Sequence, residues 1–350
     1  MIRVRELLGG ASPWVIAEIG VNHNGRLSEA LSLVDLAGRC GVQAVKFQAF
    51  RAERLVRRDT PLAAYQARNL GTDPGGQYAM LKSLEIDLPS LAACAGRARE
   101  LGLAFGVTPF DEDSLREILA LEPDFLKIGS GDADNLPLLE AARASDRPVL
   151  VSTGMCDLAD AARIVGCFAG AEAELALLHC VSAYPAPLAE ANLGAIETLR
   201  ARYGEMVGYS DHTMGAQAAL IAAAMGAVAI EKHITNDPMR QGPDHRFSAT
   251  PDILLDISKA VAEVALARGG GAKATSAVEA DNKVVGRRSA FALRDLPTGH
   301  LVVREDFRFV RPGVGIPPND AGALVGQRLA RDVPKGHPIT YDAISRRGMT

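Results

Sequence analysis

The sequence predicts a (β/α)8 TIM barrel followed by a small β-rich module. Three observations carry this. Eight short apolar runs alternate with helical stretches up to about residue 268. Nearly every run turns polar at its carboxyl end. After a segment rich in small and glycine residues, "ARGGGAKATSAVEADN" (267–282), the texture changes to short β-prone pieces among Pro and Gly. Strands alternating with helices require a parallel sheet, and eight such units are the count that closes one into a barrel.

The expected strands are "WVIAEIG" (14–20), "AVKFQAF" (44–50), "LAFGVTPF" (103–110), "FLKIGS" (125–130), "PVLVSTG" (148–154), "LALLHCVS" (175–182), "MVGYSD" (206–211) and "AVAIEKH" (227–233). Between them, "LSEALSLVDLAGRCG" has apolar residues at helical spacing and stops on Gly41, a good C-terminal signal. "DSLREILALE" and "LGAIETLRARYG" behave alike. Residues 51–90 are too long for a plain loop and predict a lid with its own helices. The domain expectation is therefore barrel 1–268, linker 269–282 and module 283–350.

Composition narrows the function. The chain has 350 residues, 48% hydrophobic and 23% charged, with a net charge of −4. That balance excludes the basic excess of a nucleic-acid or membrane-surface protein. The N-terminal "MIRVRELLGG" has no apolar signal-peptide core, and Cys40, Cys94, Cys156, Cys167 and Cys180 lack CxxC spacing. Reduced thiols and a cytoplasmic location are expected. Cys180 follows His179, but its run "LALLHCV" reads it as a small buried hydrophobe.

The polar strand ends are Glu18; Lys46 and Gln48; Thr108; Lys127 and Ser130; Ser152; His179 and Ser182; Ser210, Asp211 and His212; Glu231, Lys232 and His233. In a barrel all of these meet on the face where active sites form. Singly, Thr108, Ser152 and Ser210 read equally well as turn or capping residues. Lys46, Lys127 and Lys232 do not, because lysines ending apolar strands need anionic company.

The motifs "AEIGVNHNG", "VKFQ", "YQARN", "QYAMLKSLE", "FGVTPFD", "KIGSGD", "STGM", "LLHCVSAYPAP", "GYSDHT", "IEKHIT", "GPDHRFS", "RRS" and "RPGVGIP", in this order, resemble the bacterial sialic acid (N-acetylneuraminate) synthase family, which includes legionaminate synthases. The resemblance spans almost the whole chain. It implies a TIM barrel joined to a C-terminal antifreeze-protein-like (SAF) module. The implied reaction condenses phosphoenolpyruvate with the open-chain aldehyde of an N-acetylmannosamine-type sugar, aided by a divalent metal. His212 and His233 match the metal-holding histidines. Mixed nitrogen and oxygen ligation suits Mn²⁺, with Mg²⁺ or Co²⁺ as substitutes. Glu231 and Asp211 are then candidates to orient those imidazoles. His179 is placed in the site, though not as a ligand.

By the same resemblance, Lys127, Ser130, Ser152 and Ser210 surround the phosphate, and Lys46 and Thr108 contact the carboxylate. Ser182 stands where many relatives have Asn at a carboxylate contact. Glu18 and Glu231 are the proton handlers, with their roles undivided. Gln48, Asn69, Tyr184 and Asp244 match sugar contacts. Arg311 matches an arginine that reaches the N-acetyl group in the partner protomer's barrel, which implies a domain-swapped homodimer. Pro312 and Gly313 beside it predict a rigid projecting loop. Rival readings are a pseudaminate synthase, an aldolase forming a Schiff base at Lys127, and a non-catalytic carbohydrate- or ice-binding protein.

Overall fold

The computed structural model describes residues 4–10, 12–71, 74–170 and 175–345. The chain divides into two compact units, Met1–Gly269 and Gly270–Thr350. In the first, eight parallel strands close a barrel in sequential order: β1 (Trp14–Gly20), β2 (Ala44–Ala49), β3 (Ala104–Pro109), β4 (Phe125–Ile128), β5 (Val149–Ser152), β6 (Leu175–Cys180), β7 (Val207–Asp211) and β8 (Ala229–His233). β1 pairs with β8 in a register that sets Glu18 beside His233 and closes the ring.

The helices, in chain order, are α1 (Val4–Leu8), α2 (Leu27–Arg39), α3 (Ala52–Leu55), α4 (Ala64–Leu70), α5 (Gln77–Leu84), α6 (Leu88–Glu100), α7 (Glu112–Leu119), α8 (Leu136–Arg143), α9 (Leu158–Cys167), α10 (Gly194–Tyr203), α11 (Gln217–Ala224), α12 (Pro251–Arg268) and α13 (Ala280–Gly286). Side-chain acceptors start four of them: Asp87 before α6, Asp111 before α7, Asn135 before α8 and Asp157 before α9 each take a first-turn N–H. Beyond α2, Gly41 lies in the left-handed region (φ 69°), as its sequence position requires. The expected lid is present as α3, α4 and α5. No helix among the described residues is long and apolar enough to cross a membrane.

Alternation along each strand sorts the barrel into two surfaces. Val15, Ala17, Ile19, Val45 and Phe47 pack outward into the large core between sheet and helices. Ile16, Ala44, Phe125, Leu150, Leu178 and Ala229 fill the lower interior together with Val4, Leu7 and Leu8 of α1. Phe125 fits because β3 carries glycine beside it: a Cβ on Gly106 would lie 2.2 Å from Phe125 Cζ. The apolar plug stops one layer up, and the next interior layer is polar.

Strands β4, β5 and β6 are shorter than the sequence predicts. The "GS", "TG" and "VS" pairs at their ends leave the sheet, and Ser130 opens a 3₁₀ turn. In the second unit, β9 (Ser289–Ala292) and β10 (Phe307–Val310) form an antiparallel pair. They pack with Leu296, Val302, Ile316, Leu324, Leu329 and Ile339. The expected linker is partly helical, since α13 occupies its end. Gly313 serves close packing rather than a special turn. Its φ is not positive, and a Cβ there would lie 3.0 Å from Arg287 Cβ.

Candidate active site

The polar layer of the barrel is one connected cluster. Lys46 on β2 reaches across the interior, with Nζ 2.9 Å from Glu18 Oε2, 3.8 Å from Glu231 Oε1 and 2.8 Å from Thr108 Oγ1. Gln48 Nε2 donates to the other Glu18 oxygen (2.9 Å), and Ser210 Oγ donates to Glu231 Oε1 (3.2 Å). Glu18, Lys46, Thr108, Ser210 and Glu231 are all buried. Glu231 Oε2 has no hydrogen-bond partner.

The two carboxyls lean opposite ways. Burial raises Glu18, and the nearby Glu231 charge adds to it, outweighing Lys46. For Glu231 burial again acts upward, but Lys127, Lys46 and His212 overcome it and hold the carboxyl below its ordinary value. Two carboxyls separated in this way are the pattern of a proton donor beside an anionic base.

A second group lies at the ends of β4, β5 and β6. Lys127 Nζ donates to Ser152 Oγ (2.6 Å) and to the Ile128 carbonyl (3.0 Å). Gly154 N–H donates to Ser130 Oγ (2.9 Å). A Cβ on Gly154 would stand 2.3 Å from Ser182 Oγ and 2.8 Å from Ser130 Oγ. The two hydroxyls therefore close on this glycine and, as they stand, leave no room for a Cβ. Ser182 Oγ is buried there without a partner. A buried orphan hydroxyl near Ser130, with the Lys127–Ser152 pair at the adjoining strand ends, suits an oxyanion.

The third group is aromatic. The rings of His212 and His233 lie 5.5 Å apart. Tyr184 packs 4.4 Å from His212, and Phe247 lies 5.0 Å from His233. His212 Nδ1 donates to the Val181 carbonyl (3.0 Å), which leaves its other nitrogen for the cavity. His233 Nδ1 is buried with no hydrogen-bond partner, 3.7 Å from Asp244 Oδ2. Burial and the surrounding cations push His233 far below its usual range, so it is a neutral imidazole. Burial and Glu18 raise Asp244 to about 7. Two imidazoles at this spacing, one with an orphan nitrogen, fit a shared divalent ion. Among the described residues no group of three or more His, Cys, Asp and Glu could hold a metal. An ion held by this pair would complete its shell with water and substrate oxygens.

Several expectations are corrected. Lys232 is not in the mouth. It alternates to the outer face between Glu231 and His233, where Nζ bonds Asp211 Oδ2 at 2.7 Å. Asp211 also accepts from the Thr213 N–H and hydroxyl. It is thus committed to the strand–helix layer and does not orient the imidazoles. Glu231 likewise bonds Ser210 rather than a histidine. His179 points outward, stacks on Tyr209 (5.8 Å) and bonds the Ala191 carbonyl. Asn69 on α4 donates to the Pro243 carbonyl (2.6 Å) and so ties the lid to the β8–α12 loop, which does not contradict its expected sugar contact. Cys180, read as a small buried hydrophobe, is buried, but its Sγ lies 3.7 Å from His212 Nδ1. The missed signal was phase: Cys180 shares the inward register of Leu178 and Ser182.

The NeuB family model matches residues 33–273 and the SAF domain model residues 287–345. The N,N'-diacetyllegionaminic acid synthase of Legionella pneumophila is 38% identical over 95% of this chain and 94% of that protein. The enzyme of the same name from Campylobacter jejuni is 36% identical over 86% of this chain and 91% of that protein. The crystal structure of an N-acetylneuraminic acid (sialic acid) synthetase from Leptospira borgpetersenii in complex with citrate is 33% identical. It superposes with a TM-score of 0.71 over 78% of this chain and 91% of that one. The chain belongs to the NeuB family, with a C-terminal SAF domain.

Proposed function

We propose that this chain joins phosphoenolpyruvate to the open-chain aldehyde of an acylated mannosamine-type sugar, giving a nine-carbon 2-keto acid and phosphate. The carrying observation is the arrangement of the polar layer. A lysine-bridged pair of unequal carboxyls stands beside two imidazoles, and Lys127 with Ser130, Ser152 and Ser182 gathers at the ends of β4, β5 and β6. The two legionaminic acid synthases among the relatives favour a 2,4-diacetamido-2,4,6-trideoxy sugar, and so N,N'-diacetyllegionaminate, as substrate and product.

Lys127, Ser130, Ser152 and Ser210 bind the phosphate end, and Lys46 and Thr108, with Ser182, the carboxylate. Gln48, Tyr184 and Asp244 face the sugar. A divalent metal, Mn²⁺ first and Mg²⁺ or Co²⁺ as substitutes, held by His212 and His233, supplies Lewis acidity for the aldehyde oxygen. As the enol carbon forms the new bond, the aldehyde oxygen takes a proton from Glu18, the carboxyl held upward. Water then adds to the oxocarbenium carbon and gives its proton to Glu231, the carboxyl held downward. The carbon–oxygen bond to phosphate then breaks, the hydroxyl proton leaves with the phosphate, and the ketone remains. Arg311 of a second chain completes the sugar site in a swapped homodimer. Charge supports this association. Residues 270–350 carry 13 Lys and Arg against 8 Asp and Glu, whereas the whole chain is −4. Location in the reducing cytoplasm fits the free cysteines, among them Cys40, Cys94 and Cys180.

The test is turnover with Mn²⁺, phosphoenolpyruvate and either the diacetamido sugar or N-acetylmannosamine, following phosphate and keto acid together. Phosphoenolpyruvate labelled with ¹⁸O at the bridging position should place the label in phosphate. No product from either sugar, or label in the sugar acid, overturns the reading. One observation favours the aldolase: burial lowers the basicity of Lys127. Borohydride trapping with pyruvate decides, since a stable adduct at Lys127 would establish the Schiff base.

A further inference from the structure

The aromatic group continues beyond Tyr184 into the lid. Tyr65, on α4, places its ring 4.8 Å from Tyr184 at an interplanar angle of 33°. Tyr184 also touches Phe247 (5.2 Å). The rings of Tyr65, Tyr184 and Phe247 therefore form one wall running from the lid to the two imidazoles. Both tyrosines are half-buried, so the wall keeps an open side. Burial first, and then the Asp244 carboxylate, raise the Tyr65 hydroxyl. Its hydroxyl oxygen accepts a long bond from Gln66 Nε2 at 3.3 Å. The segment is held in place independently, by Asn69 to the Pro243 carbonyl and by Gln66 Oε1 accepting from Ala63 N–H (2.9 Å). Tyr65 is thus not needed to pin the lid.

We infer that Tyr65 is a specificity-determining residue: with Tyr184 it forms an apolar wall that receives a methyl-bearing substituent of the sugar acceptor. The inference rests on the condensation proposed above and deepens it. A polar rim of Gln48, Glu18 and Asp244 reads hydroxyls, but it cannot distinguish a sugar with an acetamido or deoxy methyl from one with a hydroxyl there. An aromatic face can, because it gains from covering a methyl group and loses by desolvating a hydroxyl. Two of the proposed substrate's three methyls are absent from N-acetylmannosamine, the one on the 4-acetamido group and the deoxy C6.

The experiment compares wild type, Tyr65→Phe, Tyr65→Leu and Tyr65→Ala on three acceptors. These are 2,4-diacetamido-2,4,6-trideoxymannose, its 6-hydroxy counterpart and N-acetylmannosamine. Each variant's melting curve and KM for phosphoenolpyruvate are controls for folding. Tyr65→Ala should lower the kcat/KM preference for the trideoxy sugar about tenfold, the scale of one methyl group's discrimination. The effect should fall on sugar KM and leave the KM for phosphoenolpyruvate within about twofold. Tyr65→Phe should keep the preference, and Tyr65→Leu should fall between. Loss against N-acetylmannosamine and not against the 6-hydroxy sugar assigns the acetamido methyl; loss against both assigns C6. An unchanged preference in Tyr65→Ala, an equal loss on all three sugars, or a Phe variant as poor as Ala overturns the inference while the proposed function stands. Absence of wild-type turnover on every sugar overturns both.

Discussion

At the scale of single residues, charge at this site is set by burial and corrected by a few neighbours. Lys46 lies against two carboxyls, yet only Glu231 is held low, because Lys127 acts on it as well. His212, just past the end of β7, and His233, the last residue of β8, lie above the plug and away from the core contacts. His212→Ala or His233→Ala should therefore abolish condensation and shift the melting temperature little. Condensation should also vanish after EDTA treatment and return with Mn²⁺; full activity in metal-stripped enzyme would refute the ligand assignment. His23 shows a different use of burial. It lies against Phe47 with Nδ1 accepting from Gly25 N–H at 3.0 Å. Burial pushes it from 6.5 down to about 4. The unfolded chain takes up this proton near 6.5 and the folded chain only near 4. Stability should fall as pH drops through that window, by up to about 3 kcal/mol, and change no further below it. His23→Gln should flatten that part of the melting-temperature profile, and an unchanged slope would show that other groups cause it.

At the scale of elements, the strand alternation decides what each polar residue does. "EKH" at the end of β8 sends Glu231 and His233 inward and Lys232 outward, so three adjacent titratable residues serve two layers. The Lys232–Asp211 pair is buried on both sides, with Lys232 1% exposed, and links β8 to β7. Removing one partner leaves a buried charge uncompensated. Lys232→Met should cost about 3 kcal/mol in urea unfolding. Adding Asp211→Asn, which keeps an acceptor for Thr213, should recover part of that loss. A double variant as costly as the two singles added together would show the charges to be uncoupled. The lid belongs to this scale too. Its helices are short, and Asn69 and Gln66 supply the hydrogen bonds that such short helices cannot provide alone.

At the scale of the whole molecule, the barrel unit holds the described metal-ligand and phosphate candidates, and the second unit holds Arg311. The Arg311 loop is braced within its own unit: Ser289 Oγ donates to the Pro312 carbonyl and Gly313 N–H to the Val284 carbonyl, each at 2.7 Å. Arg311 itself is exposed, which leaves its fork of donors available. If it serves a second chain, Arg311→Ala should raise the sugar KM about ten- to a hundredfold, the worth of one charged hydrogen bond. Mixing those chains with inactive His233→Ala chains should restore part of the activity, because a hybrid has one barrel with both imidazoles and an intact arginine opposite. Activity that stays at the mutant level after proven subunit exchange would place the arginine's action within its own chain.

The sequence by itself determined the fold class, the eight strands to within a few residues, the lid and the position of the module. Each follows from local pattern: apolar period, Gly41 as a stop, and polar strand ends. Motif order likewise pointed to Glu18, Lys46, Lys127, Glu231 and the two histidines. The tertiary structure decided which side of the sheet each residue faces. Asp211, Lys232 and His179 end strands as surely as Glu231 does, but the period of two turns them into the outer layer, a matter of register that composition does not carry. The structure also drives the two carboxyls apart. Glu18 and Glu231 are chemically identical in sequence, and only their distances to Lys46, Lys127 and each other separate them. It joined Tyr65 to Tyr184 across 119 positions of chain, a contact made by lid docking, for which a single sequence has no local signal.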